Sequence, residues 1–210
     1  MKFKCIIFDC DGVLVDSEAT SIGAIVDLAQ EMGYSMSLEQ AIGEFSGQSL
    51  QYCFDYIEKA SGQKFPANIV HIYRARTYEA FEKSLQPIPG IHAALERLTL
   101  PRCVASNAPQ EKIRLNLGLL KLTHFFQDNI FSAYDIQKWK PQPDLFLHAA
   151  KTMGFAPHEC LIVEDSLAGV TAAKTGGFEV LGYASKRTAK QLEEAGATVF
   201  YDMNLLDNYL

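Results

Sequence analysis

The chain has 210 residues, of which 48% are hydrophobic and 21% are charged, and its formal net charge at pH 7 is −6. This length and composition suit one or two globular domains, and the acidic balance disfavours nucleic acids and anionic membrane surfaces, which bind basic patches. No apolar run approaches the roughly 20 residues that span a bilayer, so we predict neither a nucleic-acid partner nor a membrane partner.

Short apolar runs alternate with helical patterns along most of the chain, which is typical of a parallel sheet flanked by helices. The predicted buried strands cover residues 5–8, 103–105, 160–163 and 179–181, with a weaker candidate at 130–131. The predicted helices between them cover 109–118, 143–153 and 166–175. Pro109 suits the first turn of the first of these helices, and Gly118 suits its end.

Residues 17–85 interrupt the alternation, because they contain only helical patterns. Apolar residues recur at helical spacing over 22–32, and Ser37 with Gln40 fits a capping box that opens a second helix. Two further helical patterns cover 50–60 and 69–81. The stretch is too long for an ordinary crossover between two strands, so it predicts a separate helical domain.

These patterns predict a two-domain organisation. Residues 1–15 and 87–210 would form an α/β core, and residues 16–86 would form a helical domain inserted into it. The chain would leave the core at 15–18 and return at 86–90, where two prolines stiffen the backbone.

Two carboxylates, Asp9 and Asp11, directly follow the first predicted strand. Burying a charge is unfavourable unless something compensates it, and a divalent cation is the obvious compensator. A calcium loop that began at Asp9 would need a glycine where Leu14 stands and an acid where Thr20 stands, so calcium is disfavoured. The pair can instead divide the roles of nucleophile and general acid and base, which predicts phosphoryl transfer.

Polar residues also follow two later predicted strands. Ser106 and Asn107 follow one, and Glu164 and Asp165 follow the other, while Lys140 lies on a proline-bounded turn before a helix. Each residue alone fits a turn, a helix cap or a solvated surface. Because ligands bind outside the carboxyl ends of strands in open α/β sheets, we expect these groups to converge on one crevice. Carboxylates there would suit a hard cation, and the hydroxyl and ammonium would suit phosphate oxygens.

With these motifs the chain resembles the haloacid dehalogenase-type phosphohydrolases that carry a helical cap after the first motif. The matching segments are 9–17, 106–107, 140–144 and 164–166, together with Gly169. The resemblance covers essentially the whole chain. It implies an α/β fold with a doubly wound, mostly parallel, Rossmann-like sheet and an inserted all-helical cap domain.

The same resemblance implies roles for the motif residues. Asp9 would be the nucleophile, and Asp11 would be the general acid and base. Mg²⁺ would be the cofactor, and its implied ligands are Asp9, the backbone carbonyl of Asp11, Asp165 and, directly or indirectly, Glu164. The implied phosphate-binding residues are Ser106, Asn107 and Lys140.

Substrate selection is expected from the cap. Gly47 and Gln48 lie where related caps place a substrate loop, and Arg74 is a long cation that could meet a second anion of the substrate. Arg74 and Arg76 also fit a solvated helix face. The core segments 103–107 and 134–141 resemble bacterial phosphogluconate phosphatases, which favours sugar or sugar-acid phosphates such as 6-phosphogluconate as substrates.

Two alternatives stay open at this point. One is a hexose-phosphate mutase of the β-phosphoglucomutase type, although Ser21 and Leu50 stand where that branch carries a histidine and an arginine. The other is a non-hydrolytic phospho-acceptor switch protein, which would not need the helical insertion. We predict a Mg²⁺-dependent phosphatase of small phosphate esters that is a monomer or a weak dimer.

The cysteines bear on the compartment. There are five, an odd number, and no two are spaced C-x-x-C, which favours reduced thiols over disulfides or a zinc site. The N-terminal residues lead directly into a strand-like run without a signal-peptide pattern. We therefore expect a cytoplasmic protein.

Overall fold

The computed structural model describes residues 2–210, so Met1, the first residue of the predicted core, lies outside the described residues. Within residues 2–210 the strands are β1 (Cys5–Phe8), β2 (Val15–Asp16), β3 (Gln86–Pro87), β4 (Arg102–Ser106), β5 (Ile130–Ser132), β6 (Cys160–Glu164), β7 (Glu179–Tyr183) and β8 (Thr198–Phe200).

The helices are α1 (Glu18–Glu31), α2 (Leu38–Phe45), α3 (Leu50–Ser61), α4 (Ile69–Ser84), α5 (Ile91–Arg97), α6 (Gln110–Leu119), α7 (Thr123–Phe126), α8 (Ala133–Ile136), α9 (Asp144–Met153), α10 (Leu167–Thr175) and α11 (Ala189–Glu194). Two 3-10 helices cover Pro157–Glu159 and Met203–Tyr209. Over residues 2–210, no helix combines the length and apolar character needed to cross a bilayer.

Six strands form one sheet in the order β5-β4-β1-β6-β7-β8, and every neighbouring pair is parallel. From the first strand the chain winds outward to one edge, then returns to the middle and winds to the other edge. This is a doubly wound sheet, and its topological switch point lies between β1 and β6. The predicted α/β fold class is confirmed.

Continuous apolar sequence places β1 and β6 at the centre of this sheet. All four residues of β1 and all five of β6 are buried, as expected for strands covered by helices on both faces. In register, Cys5 lies opposite Cys160 and Phe8 lies opposite Val163. The two strands therefore end side by side, and the acidic residues that follow them start from neighbouring positions.

Residues up to Asp16 together with Gln86–Leu210 form one compact unit, and Ser17–Leu85 forms a second unit that contains α1 to α4. In the second unit the predicted capping box is present. The Gln40 backbone N–H donates to Ser37 Oγ at 3.1 Å, and the Ser37 N–H donates to Gln40 Oε1 at 2.8 Å. The apolar faces of these helices enclose a core of their own that includes Ile25, Phe45 and Ile57.

Strand β8 and helices α5, α7, α8 and α11 lie outside the predicted elements, and two further details differ. The segments predicted as the exit and return of the chain pair as a short antiparallel ribbon, β2 with β3. Two-residue strands are too short for sequence periodicity to reveal. Pro109 caps α6 instead of standing in its first turn, and Gly118 stays within the helix, which ends one residue later.

Candidate active site

A buried lysine joins two carboxylates at the switch point of the sheet. Lys140 Nζ donates to Asp9 Oδ1 at 2.5 Å and to Glu164 Oε1 at 2.7 Å. Asp9 follows β1, and Glu164 is the last residue of β6. The Lys140 side chain is only 3% exposed, so this charge cluster is largely removed from water.

The side chain of Asn107 fixes the position of the lysine loop. Asn107 Oδ1 accepts a hydrogen bond from the Lys140 backbone N–H at 2.9 Å, and Asn107 Nδ2 donates to the Lys140 carbonyl at 3.4 Å. The Lys140 ammonium also lies 4.7 Å from the centre of the Phe146 ring. Asn107, predicted as a phosphate ligand, thus has its amide engaged by the backbone of another predicted phosphate ligand.

Ser106, the last residue of β4, is buried, and its hydroxyl accepts the backbone N–H of Ala108 at 3.1 Å. This bond shapes the turn that leads into α6. As an acceptor, the hydroxyl still has its own proton available for a phosphate oxygen. The turn therefore leaves the predicted phosphate-binding role of Ser106 chemically possible.

The carboxylate of Glu164 is fully engaged. Its Oε2 accepts the backbone N–H of Asp165 at 2.9 Å, the backbone N–H of Ser166 at 2.8 Å and the Ser166 hydroxyl at 2.9 Å. Its Oε1 accepts from Lys140. Because both carboxylate oxygens accept hydrogen bonds, the Glu164 side chain is fixed in place and can orient Lys140.

Asp165 lies against Gly12, where a side chain would overlap its carboxylate, and Gly12 has a positive φ of +83°. Within residues 2–210 no donor hydrogen-bonds the Asp165 carboxylate, whose backbone N–H is the group bonded to Glu164. Asp165 is half-buried, so its carboxylate is available to a cation.

Sequence reasoning missed Lys112 on α6. Its Nζ donates to Asp11 Oδ2 at 2.9 Å, and the two side chains are 20% and 30% exposed. A signal was present in the sequence. Lys112 stands third in the helix, where the macrodipole disfavours a cation unless an acid lies nearby.

Burial dominates the electrostatics of the site. It raises the pKa of Asp9 above its ordinary value, against the opposing effect of Lys140. Burial and then the charges of Glu164 and Asp9 raise the pKa of Asp165. Burial acts to lower the pKa of Lys140, but Asp9 and Glu164 outweigh it and hold that pKa above its usual value.

The charges of the cluster fit a divalent cation. When the carboxyl groups of Asp9, Asp11, Glu164 and Asp165 are all ionised, they carry two more charges than the ammonium groups of Lys112 and Lys140. Among residues 2–210, no three acidic, histidine or cysteine side chains form a complete metal site by themselves. Oxygen donors and a surplus of two negative charges nevertheless suit a hard divalent ion whose ligand set also includes a backbone carbonyl and substrate or water oxygens.

The predicted cap residues lie in the helical unit. Gly47 and Gln48 belong to the exposed loop between α2 and α3, where Gly47 has a φ of +74°. Arg74 lies on α4. Arg76, two residues later, donates to both oxygens of Glu31, at 2.6 and 3.0 Å, so its guanidinium is committed to an ion pair within that unit.

Comparison with known proteins gives a family match and close relatives. The family model described as haloacid dehalogenase-like hydrolase matches residues 6–183. The chain is 35% identical to the 6-phosphogluconate phosphatase of Escherichia coli (strain K12), over 98% of this chain and 93% of that protein. It is 31% identical to the phosphorylated carbohydrates phosphatase of Thermotoga maritima, over 92% of each chain.

A solved structure agrees with this match. The crystal structure of a haloacid dehalogenase-like protein of unknown function from Agrobacterium tumefaciens superposes with a TM-score of 0.87. Its sequence is 34% identical, and the alignment covers 99% of this chain and 97% of that one. The aligned part of the chain therefore includes the helical unit as well as the α/β unit.

Proposed function

Because the chain belongs to the haloacid dehalogenase-like hydrolase family and is a phosphatase, we propose that it hydrolyses small phosphorylated sugars and sugar acids with Mg²⁺, through an aspartyl phosphate. The observation that carries this proposal is the buried contact of Lys140 with Asp9 and Glu164. A cation fixed beside a carboxylate nucleophile offsets the repulsion between that nucleophile and an incoming phosphate dianion.

In the first half-reaction, a carboxylate oxygen of Asp9 attacks phosphorus. The Asp9 O–P bond forms as the bond from phosphorus to the ester oxygen breaks. Lys140 neutralises charge on the transferring group, and the Ser106 hydroxyl donates to one of its oxygens. Asp11 delivers a proton to the departing ester oxygen, which leaves as an alcohol.

In the second half-reaction, the Asp11 carboxylate takes a proton from water. The water oxygen attacks phosphorus, and the Asp9 O–P bond breaks to release inorganic phosphate and restore the Asp9 carboxylate. Asp11 thus acts first as acid and then as base, a sequence also used by retaining glycosidases.

Asp9, the Asp11 backbone carbonyl and Asp165 would hold Mg²⁺, which would supply positive charge to the phosphoryl oxygens. Glu164 would act indirectly, because both its oxygens already accept hydrogen bonds. Its contribution is to keep Lys140 and the turn that carries Asp165 in place.

We further propose that the substrate is a sugar-acid phosphate of the 6-phosphogluconate kind, read by cap residues Gly47, Gln48 and Arg74. This is supported by the 35% identity to the E. coli 6-phosphogluconate phosphatase over almost the whole of both chains. We also propose that the enzyme acts in the cytoplasm as a monomer or weak dimer, with the small phosphate ester as its partner.

The test is phosphate release from a panel of sugar, sugar-acid and polyol phosphates, measured with Mg²⁺ and with chelator, using Asp9→Asn as the blank. We expect release that depends on Mg²⁺, is greatest for sugar acids and is absent from Asp9→Asn. An isomerised ester without phosphate release would instead indicate a mutase. A phosphoryl group that stays on Asp9 without turnover would instead indicate a phospho-acceptor switch.

A further inference from the structure

Each acid of the first motif is paired with its own lysine. Asp9 binds Lys140, which is buried, and Asp11 binds Lys112, which comes from the first turn of α6. The Lys112 side chain is 20% exposed, although most lysines are solvated. Its ammonium also lies at the helix end where the dipole is unfavourable for a cation.

A partly buried ammonium at the N-terminal end of a helix needs a nearby negative charge, and the Asp11 carboxylate supplies it. A hydrogen bond from an ammonium to a carboxylate is among the stronger side-chain hydrogen bonds, and here it reaches 2.9 Å between residues 101 positions apart. The bond therefore ties the loop after β1 to α6. It also restrains the rotation of the Asp11 carboxylate, because one of its oxygens has a fixed donor.

We propose that Lys112 is a positioning residue, which holds the Asp11 carboxylate in the orientation needed to exchange a proton with the ester oxygen. This inference rests on the proposed function, since it assumes that Asp11 serves the leaving group. Proton transfer needs heavy atoms within hydrogen-bond reach, so a carboxylate free to rotate would spend little time in a productive orientation. Lys112 acts through Asp11 and does not itself touch the phosphoryl group.

The experiment uses Lys112→Met, which keeps the aliphatic stem, and Lys112→Arg, which keeps the charge. The matched control is Arg114→Met on the same helix, where the arginine is half-exposed and pairs with Asp128 at 3.7 Å. For each, kcat/KM is measured on the best sugar phosphate of the panel and on para-nitrophenyl phosphate. The nitrophenolate leaves without needing a proton, whereas the alkoxide of a sugar phosphate needs one.

We expect Lys112→Met to lower kcat/KM on the sugar phosphate by about 10- to 100-fold, the scale of a small misplacement of a catalytic group. On para-nitrophenyl phosphate the loss should be about threefold or less, because leaving-group protonation contributes little there. Lys112→Arg should keep most of the wild-type kcat/KM on the sugar phosphate, and Arg114→Met should match the wild type. An equal loss on both esters would overturn the proposal, because it would mean that Lys112 binds the phosphoryl group or merely supports the fold.

Asp11→Asn separates this inference from the proposed function. If Lys112 acts through Asp11, adding Lys112→Met to Asp11→Asn should change kcat/KM on the sugar phosphate by about twofold or less. A full additional loss would overturn the role of Lys112 while leaving that of Asp11 intact. If Asp11→Asn itself impaired both esters equally, the assigned role of Asp11 would fail instead.

Discussion

Glu164 places its carboxylate against Gly169, in the space that any side chain at position 169 would occupy. The same carboxylate holds Lys140 and accepts three further hydrogen bonds from Asp165 and Ser166. The space left by Gly169 thus determines where the Glu164 carboxylate can lie, and Glu164 in turn holds Lys140. Position 169 needs glycine for lack of space and not because of backbone strain, since Gly169 has ordinary helical geometry in α10.

We predict that Gly169→Ala will displace Glu164 and with it Lys140. Activity on the best substrate should fall by about 100-fold, the cost of a small misplacement at a catalytic centre. The protein should also lose about 1–3 kcal/mol of unfolding free energy through overpacking, measured by urea denaturation.

The matched control is Gly118→Ala in α6, where a new methyl group would meet no atom within 4 Å. That change should leave activity intact and add about 0.5–1 kcal/mol of stability through helix propensity. If Gly169→Ala behaved like its control, Glu164 would not be the support of Lys140.

Replacing Lys140 should lower the free energy of unfolding more than replacing Lys138, two residues earlier in the same loop. Lys140→Met leaves the carboxylates of Asp9 and Glu164 without their shared cation in a buried place. We expect a loss of about 3–5 kcal/mol, typical of breaking a buried ion pair by removing one partner. Lys138→Met, an exposed position in the same loop, should change stability by about 0.5 kcal/mol or less. Urea unfolding of Lys140→Met and Lys138→Met measures both changes in unfolding free energy, and equal changes would contradict the prediction.

The sheet and the convergence of the motifs could be predicted because both depend on local sequence. Apolar runs such as those of β1 and β6 are long enough to reveal buried strands, and polar residues at strand ends must meet in a parallel sheet. The contact between Lys112 and Asp11 could not be derived in this way. Its partners are 101 residues apart, and only the packing of α6 beside the first loop brings them together.

The same limit applies to the contacts of Asn107, for which the family resemblance implied phosphate binding. Both polar atoms of its amide bond to the backbone of Lys140, a contact between loops that no periodicity encodes. The two-residue strands β2 and β3 were also beyond prediction, because their pairing joins the two ends of the helical insertion. Pairing at that distance depends on the folded chain and leaves no local pattern.

Asp165 should be the residue through which a divalent cation stabilises the fold. Mg²⁺ binding to the native state should raise the thermal midpoint, by an amount equivalent to about 2.7 kcal/mol at one hundred times its Kd. Asp165→Asn should abolish this shift. Asp128→Asn should retain it, because the Asp128 side chain is 99% exposed and its ion-pair partner is Arg114, outside the cluster. Differential scanning fluorimetry with chelator and with Mg²⁺ measures the shift without reference to turnover.

Asn116 on α6 is fully buried, and neither atom of its side-chain amide has a hydrogen-bond partner within residues 2–210. We predict that Asn116→Leu, which is similar in size, will raise the unfolding free energy by about 1–2 kcal/mol, because it removes an unsatisfied polar group. Asn116→Asp should destabilise the protein, since it adds a buried charge. Urea unfolding of Asn116→Leu and Asn116→Asp tests this. If the midpoints of both variants were lower than that of the wild type, the prediction would be wrong, and the Asn116 amide would be expected to bond to buried water.

The two arginines of α4 should differ in function. Arg76 is committed to Glu31 in a surface ion pair, so Arg76→Met should cost about 1 kcal/mol of stability or less and leave KM unchanged.

Arg74 is the proposed contact for a second anion of the substrate. Arg74→Met should therefore raise KM for a phosphorylated sugar acid about tenfold, and raise it little for the corresponding neutral sugar phosphate, because only the acid presents a carboxylate to a guanidinium. Steady-state kinetics on the two esters tests this, with Arg76→Met as the control. Equal KM changes for both esters would place carboxylate recognition elsewhere.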